Sequence, residues 1–242
     1  LLNHRSGLPN YVHWLDIPGS QTNPLSNQDV LNELVCCKDS LAKCIRPNTH
    51  FEYCNTNYAL LALLIEKVTK MSYADFLKSS IFEPAGMKHS FVHTKNSTQK
   101  TTTSYDWRGM EITNGRMDEV YGDKNIYSTP RDLLIWDRLL SSGLYIHDSL
   151  LQQSYKPYSN ERPGVRNYGL GWRMNFYPNG YQLIYHNGWW HGNNAAFIRM
   201  LNEKATIIVL GNKFNRNIYK AKYLASIFNQ NLPAPAEEEG SE

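Results

Sequence analysis

Apolar positions recur at helical spacing through the first two thirds of the chain and alternate with polar ones in the last third. In residues 51–70, Tyr58, Leu61, Ala62, Ile65 and Val68 line one face of a predicted helix, and Asn55, Thr56 or Asn57 can cap its start. Ser26 and Asp29 form a Ser-x-x-Asp start signal ahead of Val30, Leu31, Leu34 and Val35, which predicts a helix ending near Cys37. A second signal, Ser72 and Asp75, opens a helix through Ile81 that Pro84 and Gly86 stop. A third, Thr129-Pro130-Arg131-Asp132, opens one running to about Leu140, with proline at the first helical position, where its missing N–H costs little. Residues 1–24 read as a loop with turn signals at Gly7-Leu8-Pro9 and Pro18-Gly19, and residues 88–127 as irregular chain with room for a hairpin.

After Gly164 the period changes to two, and residues 168–174, 181–186, 195–201 and 206–211 read as four strands. Pro178-Asn179-Gly180 and Asn202-Glu203-Lys204 supply turns between them. A final helix over 219–229 carries Leu224, Ile227 and Phe228 on one face to cover the sheet. The pattern predicts an α+β fold: residues 1–163 mainly helical and loop, 164–230 antiparallel strands with a C-terminal helix, and 231–242 a disordered tail ending in PAPAEEEGSE.

A chain of 242 residues with 41% hydrophobic and 12% aromatic residues buries a sizeable core in one or two domains. Its formal charge of +3, without a Lys/Arg block, points away from nucleic acid and toward a small-molecule or peptide substrate. The longest apolar run, 59–65, is far short of the ~20 residues that a membrane span requires. Cys36, Cys37, Cys44 and Cys54 match no zinc-binding spacing, the histidines form no ligand cluster, and no metal or cofactor is expected. Packing as small apolar groups accounts for Cys36 and Cys37, and nothing in the spacing supports a Cys44–Cys54 disulfide.

The candidate chemistry begins at Tyr53 and Asn55, whose side chains leave an extended backbone on the same side, directly in front of the helix. Tyr53-Cys54-Asn55 and the stretch that follows, NYALLALLIEKVTKMSYADFLKSSIFEPAGM, resemble the serine β-lactamase and penicillin-binding protein superfamily in its class C-like branch. The resemblance extends to LLNHRSGLP at 1–9, IYSTPRDLL at 126–134, YGLGW at 168–172 and HNGWWHG at 186–192. It implies a β-lactamase-like fold, an antiparallel sheet packed by helices beside a helical region, and acyl transfer through a serine acyl-enzyme. The family nucleophile lies in a Ser-x-x-Lys motif upstream of the segment matching 1–9. The resemblance therefore implies a C-terminal portion with the N-terminal part of the fold missing and no nucleophile assigned in this chain. Such a fragment is expected to be inactive alone and to self-associate through uncovered core faces. A periplasmic or secreted location is implied by resemblance only.

By the same resemblance Tyr53 shares the work of a base. A free tyrosine titrates near ~10, so the role needs a neighbouring lysine. Asn55 offers a donor and an acceptor to a substrate amide, and is equally among the best N-cap residues. His186-Asn187-Gly188 stands where the family has Lys-Thr-Gly or His-x-Gly, which makes these three residues substrate-binding and the Trp189 N–H an oxyanion donor. Histidine is mostly neutral at pH 7, so recognition of a penicillin carboxylate does not follow from His186. Trp189 and Trp190 bind an apolar substrate portion or simply pack, Tyr11 and Trp14 line the site or cover the core, and Asp123 fits a turn or a cap. Two other functions fit the same residues: an esterase that does not act on β-lactams, and a non-catalytic ligand-binding or sensor module.

Overall fold

The computed structural model describes residues 1–14, 23–36, 46–113, 115–229 and 232. Cys37, Cys44, Pro18-Gly19 and the tail 233–242 lie outside the described residues. The chain divides into two compact units, residues 1–102 with 113–135, and residues 103–112 with 136–242. The second unit takes a piece, residues 103–112, from inside the first.

In the first unit lie α1 (Tyr11–Trp14), α2 (Asn27–Cys36), α3 (Thr56–Thr69), α4 (Tyr73–Leu77), α5 (Glu83–Ala85), the short antiparallel pair β1 (Phe91–Val92) and β2 (Ile126–Tyr127), and the start of α6 (Pro130–Ser142). The start signals do their work. Asp29 Oδ2 accepts from both Ser26 N and Ser26 Oγ, while Ser26 Oγ accepts from Asp29 N at 3.2 Å. Ser72 Oγ accepts from Asp75 N at 3.0 Å. At α6, Thr129 Oγ1 accepts from Asp132 N, but the buried Asp132 carboxylate turns inward and accepts from His89 N and Ser90 Oγ at 2.7 and 2.8 Å.

The predicted stop at Pro84 is a change of helix type. A π-helical segment, Lys78–Phe82, joins α4 to α5, and the Glu83 N–H reaches back to Lys78 O before Gly86 ends the run at φ +76°. The wider turn accommodates a proline that lacks the N–H and crowds the preceding carbonyls. On α3 the predicted apolar face is rotated: the buried positions are Thr56, Asn57, Ala59 and Ala62, while Val68 is 72% exposed. Small residues face inward because the loop after Tyr121 lies directly on the helix. A Cβ at Gly122 would stand 2.5 Å from Tyr58 O and 2.8 Å from Ala62 Cβ.

The second unit holds the end of α6, α7 (Asp148–Ser154), and a five-stranded antiparallel sheet in sequence order, β3 (Arg166–Tyr168), β4 (Arg173–Phe176), β5 (Gln182–Trp190), β6 (Asn193–Met200) and β7 (Ala205–Gly211), followed by a 3-10 helix, Arg216–Ile227. The predicted strand 168–174 is instead a turn between two strands, with Tyr168 opposite Arg173. Its glycines require this: Gly171 has φ +80°, and a Cβ at Gly169 would meet Ser154 O at 2.0 Å. One sheet face packs Leu183, Tyr185, Ala196, Ile198 and Met200 with Ala221 and Ala225 of the 3-10 helix. Leu224, Ile227 and Phe228 face solvent, contrary to the predicted orientation, Ile227 being 72% exposed. Polar anchors set that register: Asn194, itself buried, donates through Nδ2 to Tyr219 Oη at 2.7 Å and accepts from Asn215 N at 2.8 Å.

The other face packs Met174 and Ile184 with Leu140, Leu151 and Tyr155. Arg199 is buried at its centre. Its Nε donates to Asp137 Oδ1 at 2.5 Å, its Nη2 to Asp137 O at 3.2 Å and Ser141 Oγ at 2.7 Å, and its Nη1 to Tyr155 Oη. Removing one member of a buried ion pair leaves the other charge uncompensated. Asp137→Ala is expected to lower unfolding stability by about 3–5 kcal/mol in urea titrations, whereas Arg199→Met with Asp137→Leu should recover most of that loss.

Candidate active site

The head of α3 is held by residues 1–11. His4, buried and left-handed at φ +53°, accepts from Cys54 N at Nδ1 over 3.0 Å, and its ring centroid lies 4.2 Å from that of Tyr53. His4 O accepts from Glu52 N at 3.0 Å, and Leu2 O from Tyr58 Oη at 2.8 Å. Thr56, fully buried, donates through Oγ1 to Pro9 O and accepts from Tyr11 N at 2.8 Å. Asn57 Oδ1 accepts from Ser6 Oγ at 2.5 Å.

This scaffold turns Cys54 inward and Tyr53 and Asn55 outward, as an extended backbone predicts. Tyr53 is 37% exposed. Cys54 is a buried free thiol, so no disulfide involves it; its Sγ donates to Leu8 O at 3.3 Å, and burial pushes its pKa up. Asn55 is not a side-chain cap. Its backbone is already helical at φ −65°, ψ −29°, and its amide makes no capping bond. The amide stays half-exposed and unspent at the head of the helix.

Tyr11 covers the core and is fully buried. Asp123 sits in the bend between Gly122 and Lys124, as a turn residue would, and its carboxylate does more: its Oδ2 accepts from Tyr11 Oη at 2.8 Å and stands 3.5 Å from Lys124 Nζ, which also donates to Tyr11 Oη. Burial raises the Asp123 pKa despite the Lys124 charge, and burial lowers that of Lys124 despite the Asp123 charge. Burial and the Asp123 charge together push the Tyr11 phenol far up. A cleft of about 1100 Å³ in the same unit, lined by Glu66, Tyr73, Phe82, Met87 and Tyr121, does not include Tyr53 or Asn55.

Two Ser-x-x-Lys strings stand in the sequence, at 40–43 and 97–100. Residues 40–43 lie outside the described residues. Ser97 sits in irregular chain after β1, its Oγ accepting from Thr94 N at 2.8 Å and donating to Val92 O at 3.3 Å. Without a helix, Ser97 and Lys100 do not share the face that the motif needs.

In the second unit, β5 runs on to Trp190, so His186 is inside a strand rather than at its end. Pairing with β4 stops at Tyr185, and residues 186–190 pair only with β6 among the described strands. His191 at φ +52° and Gly192 make the tight turn into β6. A Cβ at Gly188 would crowd Ala195 Cβ at 3.3 Å. Trp189 is 66% exposed, with its indole N–H donating to His191 O at 2.8 Å and its ring 6.0 Å from Phe214.

His186 Nδ1 lies 2.7 Å from Asn187 O, an acceptor, so this nitrogen carries the proton and Nε2 accepts from the Tyr168 hydroxyl at 3.0 Å. Burial pushes its pKa down to about 4, the Arg173 guanidinium adds to the shift, and the bond to Asn187 O opposes it. His186 is therefore a neutral, strand-internal residue at pH 7 and does not supply the charge of a Lys-Thr-Gly lysine. Among the described residues no group of three or more His, Cys, Asp or Glu could hold a metal, and no helix is long and apolar enough to cross a membrane.

An α+β fold with a Tyr-x-Asn helix head and a glycine-bearing strand edge defines a β-lactamase-like protein. The chain belongs to the beta-lactamase family, whose pattern matches residues 1–229. It is 30% identical to penicillin-binding protein 4* of Bacillus subtilis, covering 97% of this chain and 56% of that protein, and 31% identical to protein flp of Staphylococcus aureus, covering 88% and 42%. The chain thus spans about half the length of the curated relatives it matches. Solved structures share the fold at lower identity. A penicillin-binding protein from Bacillus halodurans superposes at TM-score 0.78 with 19% identity, over 93% of this chain and 70% of that one. An octameric penicillin-binding protein homologue from Pyrococcus abyssi gives 0.76 and 23%, over 93% and 54%. The D-amino acid amidase of Ochrobactrum anthropi gives 0.70 and 23%, over 93% and 76%.

The His186 pKa carries a stability prediction. A histidine of pKa about 6.5 when unfolded and about 4 when folded stabilises the fold fully above pH 6.5. That contribution is lost as pH falls from 6.5 toward 4, because only the unfolded state takes up the proton, and the loss levels off below. His186→Gln should flatten this part of the urea-derived stability profile, the difference from wild type amounting to at most about 3 kcal/mol.

Proposed function

We propose that this chain is the portion of a serine hydrolase that supplies Tyr53, Asn55 and the 186–189 strand to an acyl-enzyme reaction, with the serine and lysine of a Ser-x-x-Lys motif supplied by a preceding segment of the same gene product. The observation that carries the reading is the unspent Asn55 amide beside the solvent-open Tyr53 at the head of a rigidly held helix. In the proposed reaction the serine attacks a carbonyl while Tyr53, coupled to the lysine, takes its proton and later returns one to the leaving group. Asn55 holds the substrate amide, Gly188 lets the substrate approach the strand, and the Trp189 N–H stabilises the oxyanion. The substrate is a β-lactam, a D-alanyl peptide, a D-amino acid amide or an ester. This chain by itself, without that serine, forms no acyl-enzyme.

A second reading, an esterase or amidase that does not act on β-lactams, is favoured by the neutral His186, which offers no charge to a penicillin carboxylate. A periplasmic or secreted location is proposed on family likeness. Self-association is proposed from the exposed Leu64, Val68, Leu224, Ile227 and Phe228, and is in keeping with the octameric homologue.

The test is acylation of the complete gene product by a fluorescent penicillin, alongside turnover of a p-nitrophenyl ester and a D-phenylalanine amide. Tyr53→Phe is expected to lower kcat/KM by about 10²–10⁴ on any substrate that is used. Ester or amide turnover without penicillin labelling selects the second reading. Absence of covalent labelling and of both turnover activities overturns the hydrolase reading in favour of a binding module.

A further inference from the structure

The buried network of Tyr11, Asp123 and Lys124 is far more elaborate than a turn needs. Three functional groups converge, the Tyr11 ring fully buried and the Asp123 and Lys124 side chains only 4% and 7% exposed, and one carboxylate oxygen, Asp123 Oδ1, is buried with no hydrogen-bond partner. Burying an Asp and a Lys together is costly and brings little net stability. Such a pair is better suited to fixing one arrangement than to adding to the total.

Its connections show what it fixes. The Asp123 loop is registered on α3 at two points: Gly122 has φ +99° and no room for a side chain against Tyr58 O, and Asn27 bonds Ala59 O, Tyr121 O and Tyr121 N at 2.9, 2.7 and 3.0 Å. From that fixed loop, Asp123 and Lys124 grip the Tyr11 hydroxyl. At the other end of the same residue the Tyr11 N–H donates to Thr56 Oγ1, whose proton goes to Pro9 O. Thr56 is the first residue of α3, next to Asn55. Tyr11 is thus a strut held at its ring end by the loop and at its backbone end by the residue that follows Asn55.

We infer that Tyr11, Asp123 and Lys124 are positioning residues for Tyr53 and Asn55, acting through Thr56 on the angle at which the extended segment enters α3. None of the three touches substrate. The inference rests on the proposed roles of Tyr53 and Asn55, and its consequence is that weakening the strut slows acylation without weakening substrate binding.

The charged groups that act on the network are Asp118, which bears on Tyr11 and Lys124, and the Asp123–Lys124 pair itself. Tyr11→Phe is the sharpest variant, because it removes only the hydroxyl and keeps the ring, the Tyr11 N–H bond to Thr56 and the Asp123–Lys124 ion pair. In the complete gene product, Tyr11→Phe should reduce the acylation rate constant about tenfold or more while the dissociation constant of the pre-covalent complex stays within twofold. Asp123→Asn combined with Lys124→Met removes both charges together and should give the same split. Equal acylation rates in wild type and Tyr11→Phe overturn the inference, as does a loss that falls wholly on binding. If the wild type is not acylated, the hydrolase reading fails and a second measurement decides the positioning claim. Amide NMR of the complete gene product should then show shifts in Tyr11→Phe at Tyr53, Cys54 and Asn55, and their absence overturns the strut as well.

Discussion

Backbone N–H and C=O groups need partners wherever the chain is covered, and in the first unit residues 1–11 bond the stretch that leads into α3, from the Asn48 N–H on Arg5 O and the Glu52 N–H on His4 O to the buried Cys54, Thr56 and Asn57. His4 and Ser6 bond Cys54 and Asn57 of that segment, the His4 imidazole taking the Cys54 N–H at 3.0 Å, while Pro9 and Tyr11 share the Thr56 hydroxyl between them. The arrangement is economical in one respect: the Asn57 and Tyr58 N–H groups bond Cys54 O and Asn55 O, and residues 1–11 take up the Thr56 and Asn57 side chains, so the Asn55 amide is not needed as a cap. The residue best suited to close the helix is thereby left open.

The second unit solves a related problem with one residue. On the sheet face that packs α6 and α7, the buried Arg199 sets its guanidinium on Asp137, Ser141 and Tyr155, and lies about 6 Å from the ring centroids of both Tyr155 and Trp172. An apolar residue would pack there, but it would not dictate which turn of α6 meets β6. Arg199 does so through a carboxylate, a carbonyl and a hydroxyl on successive turns of that helix.

Much of this was legible in the sequence because it depends on neighbours close along the chain. The three Ser/Thr-x-x-Asp starts, the alternation of β5, β6 and β7 and the tight spacing of Tyr53 and Asn55 are local signals. Orientation was harder to read. The inward face of α3 is chosen by Gly122 and Asn27, distant in sequence, and the 3-10 helix is turned by Asn194, so that Val68 and Ile227 face solvent although their spacing places them on apolar stripes. The turn at YGLGW shows the same limit from another side, since Gly169 and Gly171 interrupt an otherwise strand-like pattern. The state of His186 was beyond any local pattern, because it is set by Tyr168 across the sheet and by the covering of the face. Asp123 is the instructive case. A lone Asp after Gly is the ordinary composition of a turn, and only Tyr11, more than a hundred residues earlier, turns it into part of a buried network.

The short stretch 103–112 belongs to the second unit although both its flanks belong to the first. Tyr105 N donates to Asn212 O, Phe214 N to Tyr105 O, Asn212 Nδ2 to Thr103 O and Gly192 N to Ser104 Oγ, and a Cβ at Gly192 would lie 2.0 Å from Tyr105 O. A ribosome delivers the chain in one direction, so these ten residues emerge long before the sheet they dock on. At about 5–20 residues per second they wait several seconds as a loop hanging from a first unit that is otherwise free to form. The order of synthesis therefore makes the loop the last part of its own neighbourhood to find a partner, and the second unit can close around it only after β7 has left the exit tunnel.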